Sequence, residues 1–431
     1  MELFAHRRRR LLEGLEGVAV IGATPVATRN RDIEHPYRQD SDLYYFTGLE
    51  EPRAALVLTS VHEEHRAVLF VQDRDADREL WDGARVGVEA ARERFDVDAA
   101  FPIAELSRRL PDYLIGAATV HYELGHRPKL DALVIDAIAR TRARARSPQV
   151  RPKRIVHPEE TWHEMRLRKD EAELAALRRA ASITCEAHRA AMAAARPGQH
   201  EYELEAVLGE VFRRRGSPRV AYETIVASGA NATVLHYVAN RRRMEEGDLV
   251  LIDAGCEWDC YAGDITRTFP VSGRFSEPQR RLYEVVLAAQ VAAIEACRPG
   301  ATVDEVHQVA LQELVAGMLE LGLLTGRAEA IIADESYKRY FMHRTSHWLG
   351  LDVHDVGAYY VDGASRALEP GMVVTIEPGL YVSATDDQAP ADYRGIGIRI
   401  EDDIVITADG YENLTAAVPK SAEEVEQACR G

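Results

Sequence analysis

Two stretches of this chain repeat one pattern. GDLVLIDAG (247–255) and GMVVTIEPG (371–379) each run from a glycine through a β-rich apolar run to an acidic residue, one further residue and a second glycine. Upstream of each, a long helical pattern closes on the same tripeptide, in RPGQHEYELE (196–205) and RPGATVDEVH (298–307). One such pair could be convergence between two buried strands or two helix ends. Two pairs in the same order predict a duplicated helix-plus-sheet unit. The expected result is a pseudo-symmetric α+β domain whose halves share a curved sheet.

A chain of 431 residues is too long for one ordinary core, so a second domain is expected. The first part supplies it. GVAVIGA (17–23), AALVLTS (54–60), RAVLFVQ (66–72) and ATVHYEL (118–124) read as strands, and ELWDGARVGVEAARERF (79–95) and DALVIDAIARTRARA (131–145) as helices. This alternation indicates an α/β domain over residues 1–160. SPQVRPKRIVHPEETWHEMRLRKD (147–170) reads as the connection. Asp170, three residues before Glu173, is a capping-box-like start for the first helix of the second domain, placed at 168–431.

Bulk composition removes several function classes. The formal net charge of -17 argues against nucleic acid and anionic membrane surfaces as partners. The arginines of MELFAHRRRRLLEGLEGVAVIGA resemble the start of a signal peptide, but Glu13 and Glu16 interrupt the apolar segment such a peptide needs, and no apolar run has membrane-spanning length. A cytoplasmic location is therefore expected. Cys185, Cys256, Cys260, Cys297 and Cys429 are odd in number and scattered, as suits free thiols in a reducing compartment; Cys256 and Cys260 lack the second pair a zinc site would need. The arginine runs at 7–10, 213–215 and 241–243 are expected on the solvated surface.

The chemistry concentrates in the second domain. In LVLIDAGCEWDCYAGDITRTFPV (249–271) two β-rich runs flank a short connection, which reads as a hairpin. A turn near Trp258–Asp259 would make Asp253 and Asp264 direct cross-strand partners, close enough that one must hold a proton or a cation must hold both. The repeat puts Glu377 where the first copy has Asp253. In GIGIRIEDDIVIT (395–407), alternation places Arg399 and Glu401 on one face. Pseudo-symmetry would bring Glu377 and Glu401 opposite the two aspartates. Taken singly, an Asp at a strand end is usually a turn residue, and Arg-x-Glu on a strand a surface ion pair. Four converging carboxylates, however, are balanced by two divalent cations, whereas a single ion leaves two charges uncompensated.

HRTSHWLGLDVHD (343–355) offers the imidazole to complete such a set. His343 and His347 have the spacing of an HExxH zinc helix, but Arg344 stands where its glutamate should be. A site rich in oxygen with one nitrogen suits Mn²⁺, with Co²⁺ and Zn²⁺ as alternatives. Two such ions about 3.5–4 Å apart can share a bridging hydroxide and polarise a carbonyl, which is machinery for hydrolysis.

These motifs, with LHYVAN (235–240), HRTSHWLGLDVHDVG (343–357), LEPGMVVTIEPGLYV (368–382) and YRGIGIRIEDDIVIT (393–407), resemble those of the aminopeptidase P (Xaa-Pro aminopeptidase) family of pita-bread-fold metallopeptidases. SDLYYFTGLEEP (41–52) and RELWDGARVGVEAA (78–91) are similar to that family's N-terminal domain. The resemblance implies a creatinase-like N-terminal α/β domain, followed by a catalytic domain with a curved antiparallel sheet. It implies dimetal ligands at Asp253, Asp264, His347, Glu377 and Glu401, with Glu377 also the general base. It implies His236, His343 and His354 lining the substrate pocket, and Arg399 and Tyr381 in proton handling near the metals. Asp42 and Trp81 would reach a neighbouring subunit's site, so a homodimer or homotetramer is expected. The implied reaction removes the N-terminal residue from peptides with proline second. That bond is a tertiary amide of restricted geometry that general aminopeptidases handle poorly. Two alternatives remain: a prolidase acting on Xaa-Pro dipeptides with the same ligands, and a binding module without catalysis.

Overall fold

The computed structural model describes residues 2–143 and 149–430. They fall into two compact units, Met1–His163 and Glu164–Gly431.

The first unit is built on a six-stranded sheet in the order Ala99–Pro102, Ala67–Val71, Ala55–Thr59, Val18–Gly22, Thr119–His121, Arg154–Val156. All four expected strands are present and lie in its interior, where every residue is buried. The two central pairings, about Ala55–Thr59, are antiparallel and the outer ones parallel. The expected helix at 79–95 is two helices, Ala76–Asp82 and Gly87–Arg94, because Gly83 and Gly87 take left-handed backbone at φ 90° and 68°. The expected helix at 131–145 is Pro128–Ala143; residues 144 and 145 lie outside the described residues, as do 147 and 148 of the expected connection. The rest of that connection is not a plain linker: it adds the edge strand Arg154–Val156 and the short helix Trp162–Leu167.

The arginine run at 7–10 departs from expectation. Arg7 and Arg8, on the helix Glu2–Gly14, are buried. Arg8 donates to the carbonyls of Phe46 (2.6 Å), Phe95 (2.6 Å) and Asp96 (2.8 Å). Those carbonyls sit at the ends of the helices Ser41–Thr47 and Gly87–Arg94, where no intrahelical donor remains, and that is what draws a guanidinium inward.

The second unit carries the duplication. Helix Glu171–Ala194 packs on Glu201–Arg214, and Glu277–Ala296 packs on Val303–Glu320, with an RPG turn inside each pair. Reciprocal capping boxes start three of them: Asp170 with Glu173, as expected, Ser276 with Gln279 and Thr302 with Glu305. Each half then supplies a three-stranded sheet. Leu249–Asp253 lies between Ile225–Ser228 and Thr266–Pro270, and Asp402–Ile406 between Val373–Ile376 and Tyr411–Asn413. Every strand pairing in this unit is antiparallel. The halves are joined by Glu401 N–H donating to the Thr266 carbonyl (3.0 Å) and by the Thr268 hydroxyl donating to the Arg399 carbonyl (3.0 Å).

The hairpin register differs from expectation. The turn falls on Asp259–Cys260, both left-handed at φ 49° and 64°, as a two-residue hairpin turn of matching twist requires. Asp253 therefore faces Thr266, and Asp264 lies diagonal to it rather than opposite. Between the two aspartates the strands nearly touch: a Cβ on Gly255 would stand 1.6 Å from the Gly263 carbonyl oxygen. Gly255→Ala should therefore cost about 3 kcal/mol or more, read as a lower thermal midpoint by circular dichroism together with loss of activity.

Beneath this crossing, buried His188 donates its Nε2–H to the Ala254 carbonyl (3.0 Å). Burial lowers its pKa to about 4. In the unfolded chain the same imidazole takes up a proton near pH 6.5. The unfolded state thus binds more protons below that pH, and stability is lost as pH falls from about 6.5 to about 4, by roughly 3 kcal/mol. His188→Gln should flatten that part of the stability–pH curve relative to the unsubstituted chain in urea titrations.

Candidate metal centre

The expected metal ligands come from four separate stretches of the second unit, and backbone pairing brings these together. Residues 345–349 run beside the strand Val373–Ile376: Leu349 N–H donates to the Val373 carbonyl (3.1 Å), Thr375 N–H to the His347 carbonyl (3.0 Å) and Glu377 N–H to the Thr345 carbonyl (2.8 Å). This edge pairing sets His347 against Glu377, with Nε2 and Oε1 3.6 Å apart. Glu401 is placed from behind. Its neighbour Asp402 forms a fully buried pair with Arg267 (2.7 Å), and Arg267 also donates to the Glu401 carbonyl (2.6 Å). Asp264 is held by its own N–H donating to Asp403 Oδ2 (3.1 Å).

Asp264, His347 and Glu401 each present a ligand-type atom within 4.8 Å of the others. His347 Nε2 lies 3.5 Å from Asp264 Oδ2. Asp253 joins them through Tyr222, whose hydroxyl is in hydrogen-bond contact with Oδ1 of both Asp253 and Asp264. A phenol has one proton, so it satisfies one carboxylate fully and leaves the other short. The Thr266 hydroxyl donates to Glu401 Oε2 (2.7 Å).

Charge in this pocket is far from balanced. One guanidinium, Arg399, reaches Asp253 (2.6 Å). Burial pushes the Glu377 carboxyl up to about 7, and burial together with the Asp264 charge holds Glu401 well above the ordinary carboxylate range. Burial raises Asp264 as well. Burial opposes a charge on His347, yet its hydrogen bond with Asp264 and the Glu377 charge outweigh that and bring it to about 9. The carboxyls thus shift mainly because burial disfavours their charged forms, and the one imidazole shifts upward because it meets those carboxylates.

The donor set fits divalent cations. His347 Nδ1–H donates to the Trp348 carbonyl (3.0 Å), which fixes the ring with Nε2 toward the carboxylates. The charges of the carboxylates favour a proton on Nε2, and a cation competes for the same place. The cysteines are thiols outside any disulfide, and all five are buried.

Around this cluster lie the expected pocket residues. His343 Nδ1–H donates to the Arg344 carbonyl (2.7 Å), so Nε2 accepts from the Tyr381 hydroxyl (2.9 Å), which in turn accepts from Arg399 (2.9 Å). Burial and the Arg399 charge lower the His343 pKa to about 4 and keep the ring neutral. Burial lifts Tyr381 to about 12. The His354 ring stands edge-on to His347, centroids 4.4 Å apart. His236 is exposed on the 234–240 loop, near enough to act electrostatically on both His343 and His354. Asp42 and Trp81 belong to the first unit. There Asp42 is buried against His163 Nε2 (3.1 Å), while Trp81 is 86% exposed.

Sequence reasoning missed Tyr222, Thr266 and Asp403, which hold the carboxylates in place. None has a spacing signal. Tyr222 sits in an unremarkable approach to a strand, and Asp403 reads as an ordinary neighbour of Asp402.

Comparison with known proteins places the whole chain in one family. Residues 175–408 match metallopeptidase family M24, and residues 4–121 match the aminopeptidase P N-terminal domain. The Xaa-Pro aminopeptidase of Escherichia coli is 47% identical over 98% of this chain and 96% of its own length. Human Xaa-Pro aminopeptidase 3 is 35% identical over 99% of this chain and 85% of its own. Among solved structures, an aminopeptidase of Pseudomonas aeruginosa superposes with a TM-score of 0.95 at 45% identity, covering 99% of this chain and 97% of that one. An E. coli aminopeptidase P variant in complex with substrate gives 0.94 at 46% identity, covering 99% and 98%. With its duplicated pita-bread catalytic unit and its N-terminal domain, the chain belongs to metallopeptidase family M24.

Proposed function

We propose that this chain is a metal-dependent Xaa-Pro aminopeptidase, releasing the first residue from peptides with proline second. The observation that carries the reading is the largely buried cluster of Asp264, Glu377 and Glu401 around His347, with Asp253 joined to Asp264 through Tyr222 and with Nε2 directed at the carboxylates. Those five side chains would hold two divalent ions, Mn²⁺ by preference, with Co²⁺ or Zn²⁺ as substitutes. Such ions activate water and polarise the scissile carbonyl.

The chain's own groups do the rest. Glu377 is the carboxylate placed to take a proton and return it to the proline nitrogen that leaves. His236 and His354 offer N–H donors to the carbonyl oxygen as negative charge develops there. Arg399, Tyr381 and His343 form a hydrogen-bonded row whose donors and acceptors are mutually satisfied, which fixes one wall of the pocket. An acidic centre also suits a substrate that enters by its free α-ammonium group.

The same reading extends to assembly and location. Leu80 and Trp81 stand 84% and 86% exposed side by side, and a second copy in a homodimer or homotetramer would cover them. No helix among the described residues is long and apolar enough to cross a membrane. The five reduced thiols fit the cytoplasm, where we place the protein.

A peptide panel on chelated and metal-reconstituted protein tests the reaction. Xaa-Pro-Xaa tripeptides should be cleaved at least ~10-fold better than Xaa-Pro dipeptides, with activity lost on chelation and regained with Mn²⁺. A strong dipeptide preference would make the chain a prolidase, and failure to bind Mn²⁺, Co²⁺ or Zn²⁺ a non-catalytic binding module. Asp264→Ala should lower kcat by ~10³-fold or more and reduce metal content measured by mass spectrometry. His354→Ala should lower turnover by about 10²-fold with both ions retained; loss of the ions would mean that His354 is a ligand.

A further inference from the structure

The loop 229–242 carries His236, and its side chains and backbone are tied repeatedly to one helix. Glu201 is the first residue of the helix Glu201–Arg214 and is fully buried. Its Oε1 accepts from Ser228 N–H (2.8 Å), the Ser228 hydroxyl (2.7 Å) and Asn231 Nδ2 (3.0 Å). Its Oε2 accepts from the Tyr237 hydroxyl (2.8 Å) and Arg242 N–H (2.8 Å). Five donors converge on one carboxylate. They come from the start, the middle and the end of the loop, and one of them is the residue beside His236.

One turn along the same helix, Glu205 Oε2 accepts from Asn240 Nδ2 (2.9 Å), and Asn240 closes the loop by donating to the Thr224 carbonyl (2.8 Å) and accepting from Val226 N–H (3.0 Å). Tyr237 and Asn240 of the LHYVAN stretch are thus the fastenings of the loop. Leu235 and Tyr237 meanwhile pack against a small cluster that includes Leu251 and Tyr381, so the loop is pressed against the wall of the pocket.

A buried carboxylate that meets only donors is an exacting strut. Charge-assisted hydrogen bonds are the strong ones, and removing the acceptor strands several buried donors at once. A glutamine at this position would turn an N–H₂ group toward donors on one side or the other. Nothing in the peptide reaction needs a carboxylate here, because Glu201 touches neither the metal cluster nor the pocket histidines.

We propose that Glu201 is a positioning residue for His236, acting through Tyr237 to fix the height and direction of that imidazole at the pocket. The proposal rests on the reading of His236 as a residue that meets the substrate. A double-mutant cycle separates the two. Steady-state kinetics on an Xaa-Pro-Xaa tripeptide are measured for the metal-loaded full chain and for Tyr237→Phe, His236→Ala and their combination, with thermal midpoint and metal content recorded for each. Tyr237→Phe removes one donor and keeps the ring packed. It should lower kcat about 5–10-fold while the midpoint and metal content stay unchanged, and it should change kcat less than about 2-fold once His236 is already alanine. Glu201→Gln, with more ties broken, should show a larger loss in kcat and the same coupling to His236. An equal loss in both backgrounds, or no loss from Tyr237→Phe, overturns the positioning role and leaves His236 in place. Wild-type turnover in His236→Ala overturns the reading of His236, and the proposal with it.

Discussion

The negative charge gathered on Asp253, Asp264, Glu377 and Glu401 is the constraint that the second unit is built to satisfy. Buried carboxylates at this spacing either hold protons or hold cations. The protein supplies one guanidinium to the cluster, Arg399, and spends it on Asp253. The other strong cation of the region, Arg267, is neutralised by Asp402 before it can help. Its role is mechanical: it grips the backbone carbonyls of Thr266 and Glu401, so that two strands from different halves of the repeat keep their separation. The imbalance at the centre is therefore a product of the scaffold, and divalent cations held there would offset it.

Supporting hydrogen bonds show the same division of labour. Beside His347, the groups among the described residues that hydrogen-bond to the carboxylates of the cluster are few, chiefly Tyr222, Thr266 and Arg399. Groups that hold the loops are many, and they lie one layer back. Thr375 steadies His347 through its hydroxyl (3.2 Å), while Lys169 and Arg166 grip buried Asp355 beside His354 (3.0 and 2.5 Å). A pocket arranged this way keeps lone pairs open at the centre and saturates them at the rim.

Much of this was legible in the sequence, and the pattern of misses is physical. The paired glycine–strand–acid stretches announced the duplication because each buried strand needs the same apolar run and each turn the same glycine. The capping box at Asp170 was legible for the same local reason. The hairpin register was not, since left-handed backbone at Asp259 and Cys260 leaves no mark that a nearby dipeptide would not also leave. Arg7 and Arg8 were misplaced on the surface because their partners are main-chain carbonyls contributed by helix ends far along the chain. Tyr222 and Asp403 stayed hidden for a related reason: their work depends on which oxygen faces which donor, and one sequence carries no record of that. His347, by contrast, was singled out by resemblance, and the residue-level argument reached only as far as one imidazole among three.

The contact between Gly255 and Gly263 has a wider bearing. Where two main chains meet with no side chain between them, the gap has no adjustable part: no rotamer can swing and no longer residue can fill it. The separation of Asp253 from Asp264 is then a property of the polypeptide itself, as rigid as a ruler. Drift at the surface, and repacking of the helices outside, would leave that length unchanged. Selection for a different ion, or for a different substrate, has to work through the identity of the ligands and the walls of the pocket, because the spacing between the two aspartates is not available to be tuned.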